Sequence, residues 1–223
     1  PADRLYVLHG NDVLGAIDSK KLQEEIGGWD NFDEGIGGNF NIDGEYFAFP
    51  YNIESLVTYV NTANADDKGI DIEKPIEIND IKDPETVLFP LFDGWYGVAA
   101  TNSSEIELLE QKEDDTLYTD MTKDWKDLEL EKKDTIKGIF NYWKKHYDAG
   151  TPLFDADAGW AYIDDKFKTG NGGVARLGGP WDADPISKQA GEGNLKVYPI
   201  NHLTLNGKPL AHWQGGWGLA INL

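Results

Sequence analysis

The stretch NIDGEYFAFPYNIESLVTYVN, residues 41–61, constrains the fold of this chain more than any other. It opens with Asp43-Gly44, a pair suited to the left-handed positions of a tight hairpin turn. Two β-rich runs follow, 45–49 and 56–60, split by Pro50 and the polar patch 51–54. A single core strand does not ordinarily stop at a proline and a carboxylate and then resume. Burying Glu54 without partners would cost on the order of several kcal/mol. The arrangement that avoids this cost has the chain leave one folded lobe, present Glu54 to a cleft, and enter a second lobe.

With 223 residues the chain can build one large or two modest domains, each with its own core. Its 20 basic and 40 acidic residues give a formal charge of −20, which argues against nucleic acid, whose phosphates need a basic face. Anionic metabolites are disfavoured for the same reason, which leaves neutral ligands and cations. Cysteine is absent, so disulfides, thiolate metal sites and cysteine nucleophiles are excluded. The aromatic load is high, with 8 Trp, 10 Tyr and 9 Phe against one Met.

Along the chain, residues 4–9 read as a short buried strand ending in the loop Gly10-Asn11-Asp12, followed by a helix from about 13 to 26. Residues 27–39, with five glycines among them, read as loop. Residues 61–81 read as a surface connection with one short helix, 86–92 as a buried strand ending at Asp93-Gly94-Trp95-Tyr96, and 101–111 as a capped helix. The charge-rich 112–133 is a surface excursion whose one large anchor is Trp125. The clearest helix is 134–149, where Ile136, Ile139, Phe140, Trp143 and Tyr147 form one apolar stripe before Gly150. Trp160, Ile163 and Phe167 make a second, shorter stripe. Strands are expected at 173–177, before Gly178-Gly179-Pro180-Trp181, and at 196–200, 203–205 and 215–223, with Asn206-Gly207 as a hairpin turn. This alternation indicates an α/β architecture with a largely parallel sheet.

Several motifs have bland readings that win. Asn39, Asn41, Asp43 and Gly44 mimic the start of a calcium loop, but Pro50 stands where a bidentate Glu belongs. Residues 155–159 fail similarly. The glycine clusters at 35–38, 170–173 and 215–218 do not match a nucleotide-binding loop, so no cofactor is implied. His9, His146, His202 and His212 lack metal-ligand spacing, and His146 is expected at the surface of its helix.

What remains are strand ends that carry polar and aromatic groups: Asn11-Asp12, Glu54, Asp93 with Trp95 and Tyr96, Trp181, and the pair Trp213 and Trp217. Ligands of open α/β sheets gather at such ends. Indole faces stack on the C–H faces of sugar rings, while Asp, Glu and Asn hydrogen-bond to hydroxyls, which suits an uncharged polyol. The rival reading is a glycoside hydrolase with Glu54 and Asp93 as its acid and base, and a third is a surface interaction protein that does not transport.

The succession FAFPYNIESLVTYVN, LFPLFDGWYG, FKTGNGGVARLGGPW and VYPINHLTLNGKPLAHWQGGWGLAIN resembles the family 1 extracytoplasmic solute-binding proteins of ABC sugar importers, the family of the maltose/maltodextrin-binding protein. The resemblance implies a periplasmic-binding-protein-like (type II) fold of two lobes joined by a hinge. Residues 1–55 and 213–223 would form an incomplete lobe one, and 56–212 would form lobe two. It further implies a monomer outside the cytoplasm, periplasmic or lipid-anchored. Such a monomer captures a neutral, maltodextrin-like oligosaccharide between the lobes, without chemistry, and delivers it to the membrane subunits of an ABC transporter. By matched position, Asp12 is the lobe-one carboxylate that bonds sugar hydroxyls and Glu54 the hinge-proximal carboxylate. Asp93 and Trp95 are the lobe-two acid and its aromatic neighbour, and Trp181 is the stacking Trp. Asn11, Tyr96 and Trp217 complete the expected ligand-binding set. Gly178 replaces an Asn of maltose-binding protein, and Trp217 has no aromatic counterpart there. Family members carry further chain before Arg4 and after Leu223, so the resemblance also implies a fragment.

Overall fold

Asp43 and Gly44 lie at φ 53° and 89° and turn the chain between two short antiparallel strands, as the Asp-Gly pair requires. The computed structural model describes residues 2–27 and 40–223; most of the glycine-rich loop expected at 27–39, with Asn39 of the calcium-like pattern, lies outside them. Contacts divide the chain into two units, Pro1–Ser55 with Trp213–Leu223, and Leu56–His212.

The first unit runs α1 (Leu5–Gly10), β1 (Leu14–Gly15), α2 (Ser19–Ile26), β2 (Asn41–Ile42), β3 (Glu45–Tyr46) and β4 (Ala48–Glu54). The second continues with β5 (Val57–Asn61), α3 (Thr62–Lys68), β6 (Ile76–Glu77), β7 (Val87–Leu88), α4 (Gly94–Asn102), β8 (Glu110–Gln111) and β9 (Leu117–Tyr118). It is completed by α5 (Leu130–Asp148), α6 (Ala156–Lys166), β10 (Ala175–Gly178), α7 (Ala183–Ala190), β11 (Leu195–Pro199), β12 (Leu203–Leu205) and β13 (Lys208–Pro209). The chain then returns to the first unit as β14 (Gly215–Asn222).

In the first unit β14 is the centre of a three-stranded antiparallel sheet, flanked by β1 and β4. Phe40, Ile42, Phe47, Ala48 and Leu5 form its core. Three expectations fail here. Residues 5–10 are helical rather than extended. A strand needs neighbours for its amides and carbonyls, none pairs with this segment among the described residues, and a helix closes its own hydrogen bonds. The helix expected from 13 begins instead at Ser19, because Leu14 and Gly15 pair with Asn222 and Ile221. Pro50 does not interrupt its strand either: β4 is an edge strand, and its register with β14 shifts between Trp217 and Gly218, a bulge where the missing proline N–H is tolerated.

The second unit is built on a four-stranded sheet ordered β11-β5-β10-β7. β5 runs antiparallel to both of its neighbours, and only β10 and β7 are parallel. The largely parallel sheet read from helix–strand alternation is therefore corrected. β5 enters directly from the other unit with no crossover helix before it, so nothing ties its direction to that of β10. Leu56, Val60, Leu88, Phe89, Ile163, Phe167, Leu177 and Ile186 are among the residues of its core. The Asn206-Gly207 turn joins β12 to β13 with both residues at positive φ, and Glu77 fastens it. That carboxylate accepts from the amides of Asn79, Asn206 and Gly207 and from the Thr204 hydroxyl at 2.8–3.1 Å.

The helix expected at 101–111 is displaced. α4 starts earlier, where Asp93 caps it by accepting from the Trp95 amide at 2.9 Å, and residues 110–118 form the β8–β9 hairpin. The excursion after it is anchored by Asp120, not by the exposed Trp125. Asp120 is fully buried and accepts from Lys132 Nζ (2.7 Å), Lys123 Nζ (2.9 Å), the Glu107 amide (2.9 Å) and the Tyr118 hydroxyl (2.7 Å). Burial alone would raise its pKa, but these donors outweigh burial and hold the carboxyl well below the usual range.

α5 exists as expected, but it is turned about its axis, with Ile139 and Trp143 of the expected stripe still packed half-buried against the core. Lys132, Thr135, Gly138, Tyr142 and His146 are buried, while Phe140 and Tyr147 of the apolar stripe are 71% and 72% exposed. The buried stripe lies one residue round the helix, a rotation of about 100°. Hydrogen bonds select this face. The Ser104 hydroxyl donates to Thr135 Oγ1 (2.8 Å), Tyr142 Oη accepts from the Phe89 amide and donates to Val87 O, and His146 Nδ1 lies 2.7 Å from Thr151 Oγ1.

His146 is thus buried rather than at the surface, and burial pushes its pKa from 6.5 down to about 4. The unfolded chain binds this proton at higher pH than the folded one does. Its contribution to stability is therefore complete above pH 6.5 and is lost as pH falls toward about 4. Up to about 3 kcal/mol is at stake. His202, lowered by its own burial, titrates in the same direction, whereas Asp120 and Asp83 lose their contributions only below the ordinary carboxylate value of 3.8. Melting curves across this range should show a falling midpoint whose slope shrinks in His146→Gln; an unchanged slope would show that His146 is not the responsive group.

Candidate functional site

In the first unit the polar groups converge at the end of β4. Asn52 and Glu54 alternate along the strand and so share a face, and Trp217 on β14 stands directly opposite Asn52. The Trp217 amide donates to Asn52 Oδ1 (3.0 Å), its indole Nε1 donates to Glu54 Oε2 (2.9 Å), and Asn52 Nδ2 donates to Glu54 Oε1 (3.2 Å). Glu54 is half-buried with both oxygens engaged, while the Trp217 side chain stays 47% exposed. The flanking glycine is needed: a Cβ on Gly218 would stand 2.7 Å from the Phe40 ring and 2.8 Å from Ala48 Cβ. Close packing on one side of β14 leaves the indole to project on the other.

Asn11 and Asp12 lie elsewhere in this unit, in the turn that ends α1. Asn11 Nδ2 donates to Val7 O at 2.6 Å, and Asp12 adopts φ 56°. Both are exposed.

In the second unit two strand ends meet through Tyr96. Asp93 caps α4, and Trp95 in its first turn is 36% exposed. Tyr96 is buried, and its hydroxyl donates to Asp182 Oδ2 at 3.4 Å, the carboxylate that the Gly179 amide also reaches at 3.4 Å. The Tyr59 hydroxyl holds the same turn by donating to Gly179 O at 2.8 Å. Trp160 packs edge-on against Tyr96, with centroids 5.0 Å apart, and against Phe92 at 5.3 Å. Burial first, then the charge of Asp182, pushes the Tyr96 phenol up to about 12 against an opposing hydrogen bond from Trp181, so it remains a neutral hydroxyl. Trp181 is 46% exposed and lies against Gly179. Asp93, Trp95, Tyr96 and Trp181 therefore belong to one neighbourhood of this unit.

Sequence reasoning passed over Asn52, Asp182 and His212. The first was detectable from its two-residue spacing to Glu54, the second from adjacency to Trp181. His212 was set aside for lacking metal spacing, yet its Nε2 lies 2.6 Å from Trp95 O. The calcium-like motifs have structural uses: Asn41 Oδ1 accepts from the Gly44 amide within the hairpin, and Asp155 caps α6 by accepting from Asp157 and Ala158. Among the described residues no group of three or more His, Cys, Asp or Glu side chains is arranged to hold a metal ion, and no helix is long and apolar enough to cross a membrane.

The model of the family described as bacterial extracellular solute-binding protein matches residues 1–222. Among solved structures, the maltose-binding periplasmic protein MalE of Listeria monocytogenes in complex with maltose is similar at 23% identity and a TM-score of 0.64. The GacH receptor of Streptomyces glaucescens, solved unliganded and with acarbose, has 17% identity and a TM-score of 0.67. The galacto-N-biose-/lacto-N-biose I-binding protein of a Bifidobacterium longum ABC transporter, in complex with lacto-N-biose, has 15% and 0.66. These alignments cover 99–100% of this chain and 54–55% of theirs, so the chain spans about 55% of the length of the structures it matches. The likeness establishes the fold of the two-lobe periplasmic binding proteins. Among curated proteins, none matches.

The seat of Trp181 is open to a direct test. A Cβ on Gly179 would come within 2.3 Å of its indole, and the exposed ring has room to swing away. Gly179→Ala is expected to change the near-ultraviolet circular dichroism while stability falls by about 1 kcal/mol or less. An unchanged spectrum would mean that the ring does not rest on Gly179.

Proposed function

The chain belongs to the bacterial extracellular solute-binding protein family, and from that premise we propose that it acts as the substrate-binding component of an ABC importer for a neutral, maltodextrin-like oligosaccharide. One observation carries the reading. Trp95, Trp181 and Trp217 are all at least one-third exposed, yet the Trp217 indole donates to Glu54, the Trp95 amide donates to Asp93, and the Trp181 ring lies against Gly179 in the turn that also carries Asp182. Large indoles left in water and held in place suit the C–H faces of sugar rings, and the neighbouring acceptors suit ring hydroxyls. The candidate ligand-binding residues are Glu54, Trp217 and Asn52, with Asn11 and Asp12, in the first unit, and Asp93, Trp95, Tyr96 and Trp181 in the second. The net charge of −20 favours an uncharged ligand over a polyanion. Maltose, acarbose and lacto-N-biose in the similar structures are all small saccharides. The protein works outside the cytoplasm as a monomer and hands its ligand to the transporter's membrane subunits.

Binding without chemistry is the consistent choice for Glu54 and Asp93. Glu54 accepts two side-chain hydrogen bonds, and Asp93 is a helix cap, so both are placed as acceptors.

A thermal-shift screen over maltose, maltotriose and lacto-N-biose should show stabilisation by at least one. Trp181→Ala should then weaken that affinity by roughly 1–3 kcal/mol in calorimetry. Stabilisation by no sugar would favour an interaction protein, and release of shorter sugars on incubation would establish a hydrolase instead.

A further inference from the structure

Trp95 is held from both sides of its own backbone. Its amide donates to Asp93 Oδ1, and its carbonyl receives His212 Nε2 at 2.6 Å. A carbonyl oxygen has no hydrogen to give, so the imidazole must carry its proton on Nε2. The two rings also meet edge to face, with centroids 4.7 Å apart and planes at 74°. One residue earlier, the Ala211 amide donates to Ala99 O at 3.3 Å. Trp95 and Ala99 are one helical turn apart, so the last two residues of the second unit lie along one edge of α4.

We propose that His212 is a positioning residue for Trp95: it fixes the first turn of α4 and the indole upon it, and so sets the affinity of the site for a sugar. The proposal rests on the sugar-binding reading above. The physical basis is preorganisation. An exposed indole free to choose among rotamers loses that freedom when a sugar stacks on it, and a residue that restricts the rotamers beforehand removes much of this entropic cost. His212 supplies a hydrogen bond to the backbone and a ring edge to the side chain, which are separable. Gln at 212 can place an amide donor near the same carbonyl without the ring, and Ala supplies neither.

The test is calorimetric titration with maltotriose, paired with fluorine NMR of protein labelled with fluorotryptophan, in which Trp95→Phe assigns the Trp95 resonance. His212→Ala is expected to weaken maltotriose binding roughly three- to ten-fold, His212→Gln to recover part of the loss, and His212→Ala to have no further effect in a Trp95→Ala background. The Trp95 resonance should shift or broaden in His212→Ala without maltotriose. Wild-type affinity in His212→Ala, or an undiminished loss in the Trp95→Ala background, overturns the assignment. If the wild-type protein binds no maltotriose, the sugar reading loses its support while the fluorine resonance still judges the contact: an unmoved signal in His212→Ala refutes positioning, and a moved one upholds it.

Discussion

A carboxylate drawn part-way out of water must be given donors, and the chain is organised around places where that requirement is met. Glu54 obtains two donors from its own sheet, the Trp217 indole and the Asn52 amide. Asp93 obtains the amide that starts α4, Asp182 the Gly179 amide and the Tyr96 hydroxyl, and Glu77 four donors, two of them the amides of the β12–β13 turn. Asp120 carries the principle furthest, fully buried and compensated by two lysines, an amide and a phenol. In the candidate site the donors to carboxylates include indole and phenol groups, so satisfying the acids also fixes the aromatic rings.

This coupling explains why local pattern revealed some elements and not others. Asp43-Gly44 and Asn206-Gly207 were legible because a turn requiring positive φ is decided by the residues within it. The Gly-rich strand at the chain's end was legible from its composition. The orientation of α5 was not. Counting apolar residues placed Phe140 and Tyr147 inward, whereas Thr135, Tyr142 and His146 face inward to meet Ser104, Val87, Phe89 and Thr151. Apolar periodicity does not register hydrogen-bond partners, whether as near as Thr151 or as far off as Val87 and Phe89. The direction of β5 was hidden for a related reason, since its neighbours β10 and β11 come more than a hundred residues later.

The candidate site divides along the same line. Glu54, Asp93 and Trp181 could be singled out as polar or aromatic groups at strand ends. The grouping itself could not be read from sequence: Tyr96 joins the α4 cap to the Gly179 turn through Asp182, and Trp217 reaches across to Glu54 because Gly218 lets β14 press against Phe40 and Ala48. The residues that hold the rings, Asn52, Tyr59, Asp182 and His212, bear no motif. They are recognisable only by what they touch.

The central claim is that exposed indoles, fixed beside acceptors, receive the C–H faces of an uncharged sugar. Saturation-transfer difference NMR with maltotriose addresses it most directly. The account predicts that saturating the protein's aromatic protons transfers strongly to the ring C–H protons of the sugar. It also predicts that the transfer collapses when Trp181 is replaced by Ala. Equal transfer to sugar protons in that variant, or none in the wild-type protein, would contradict it.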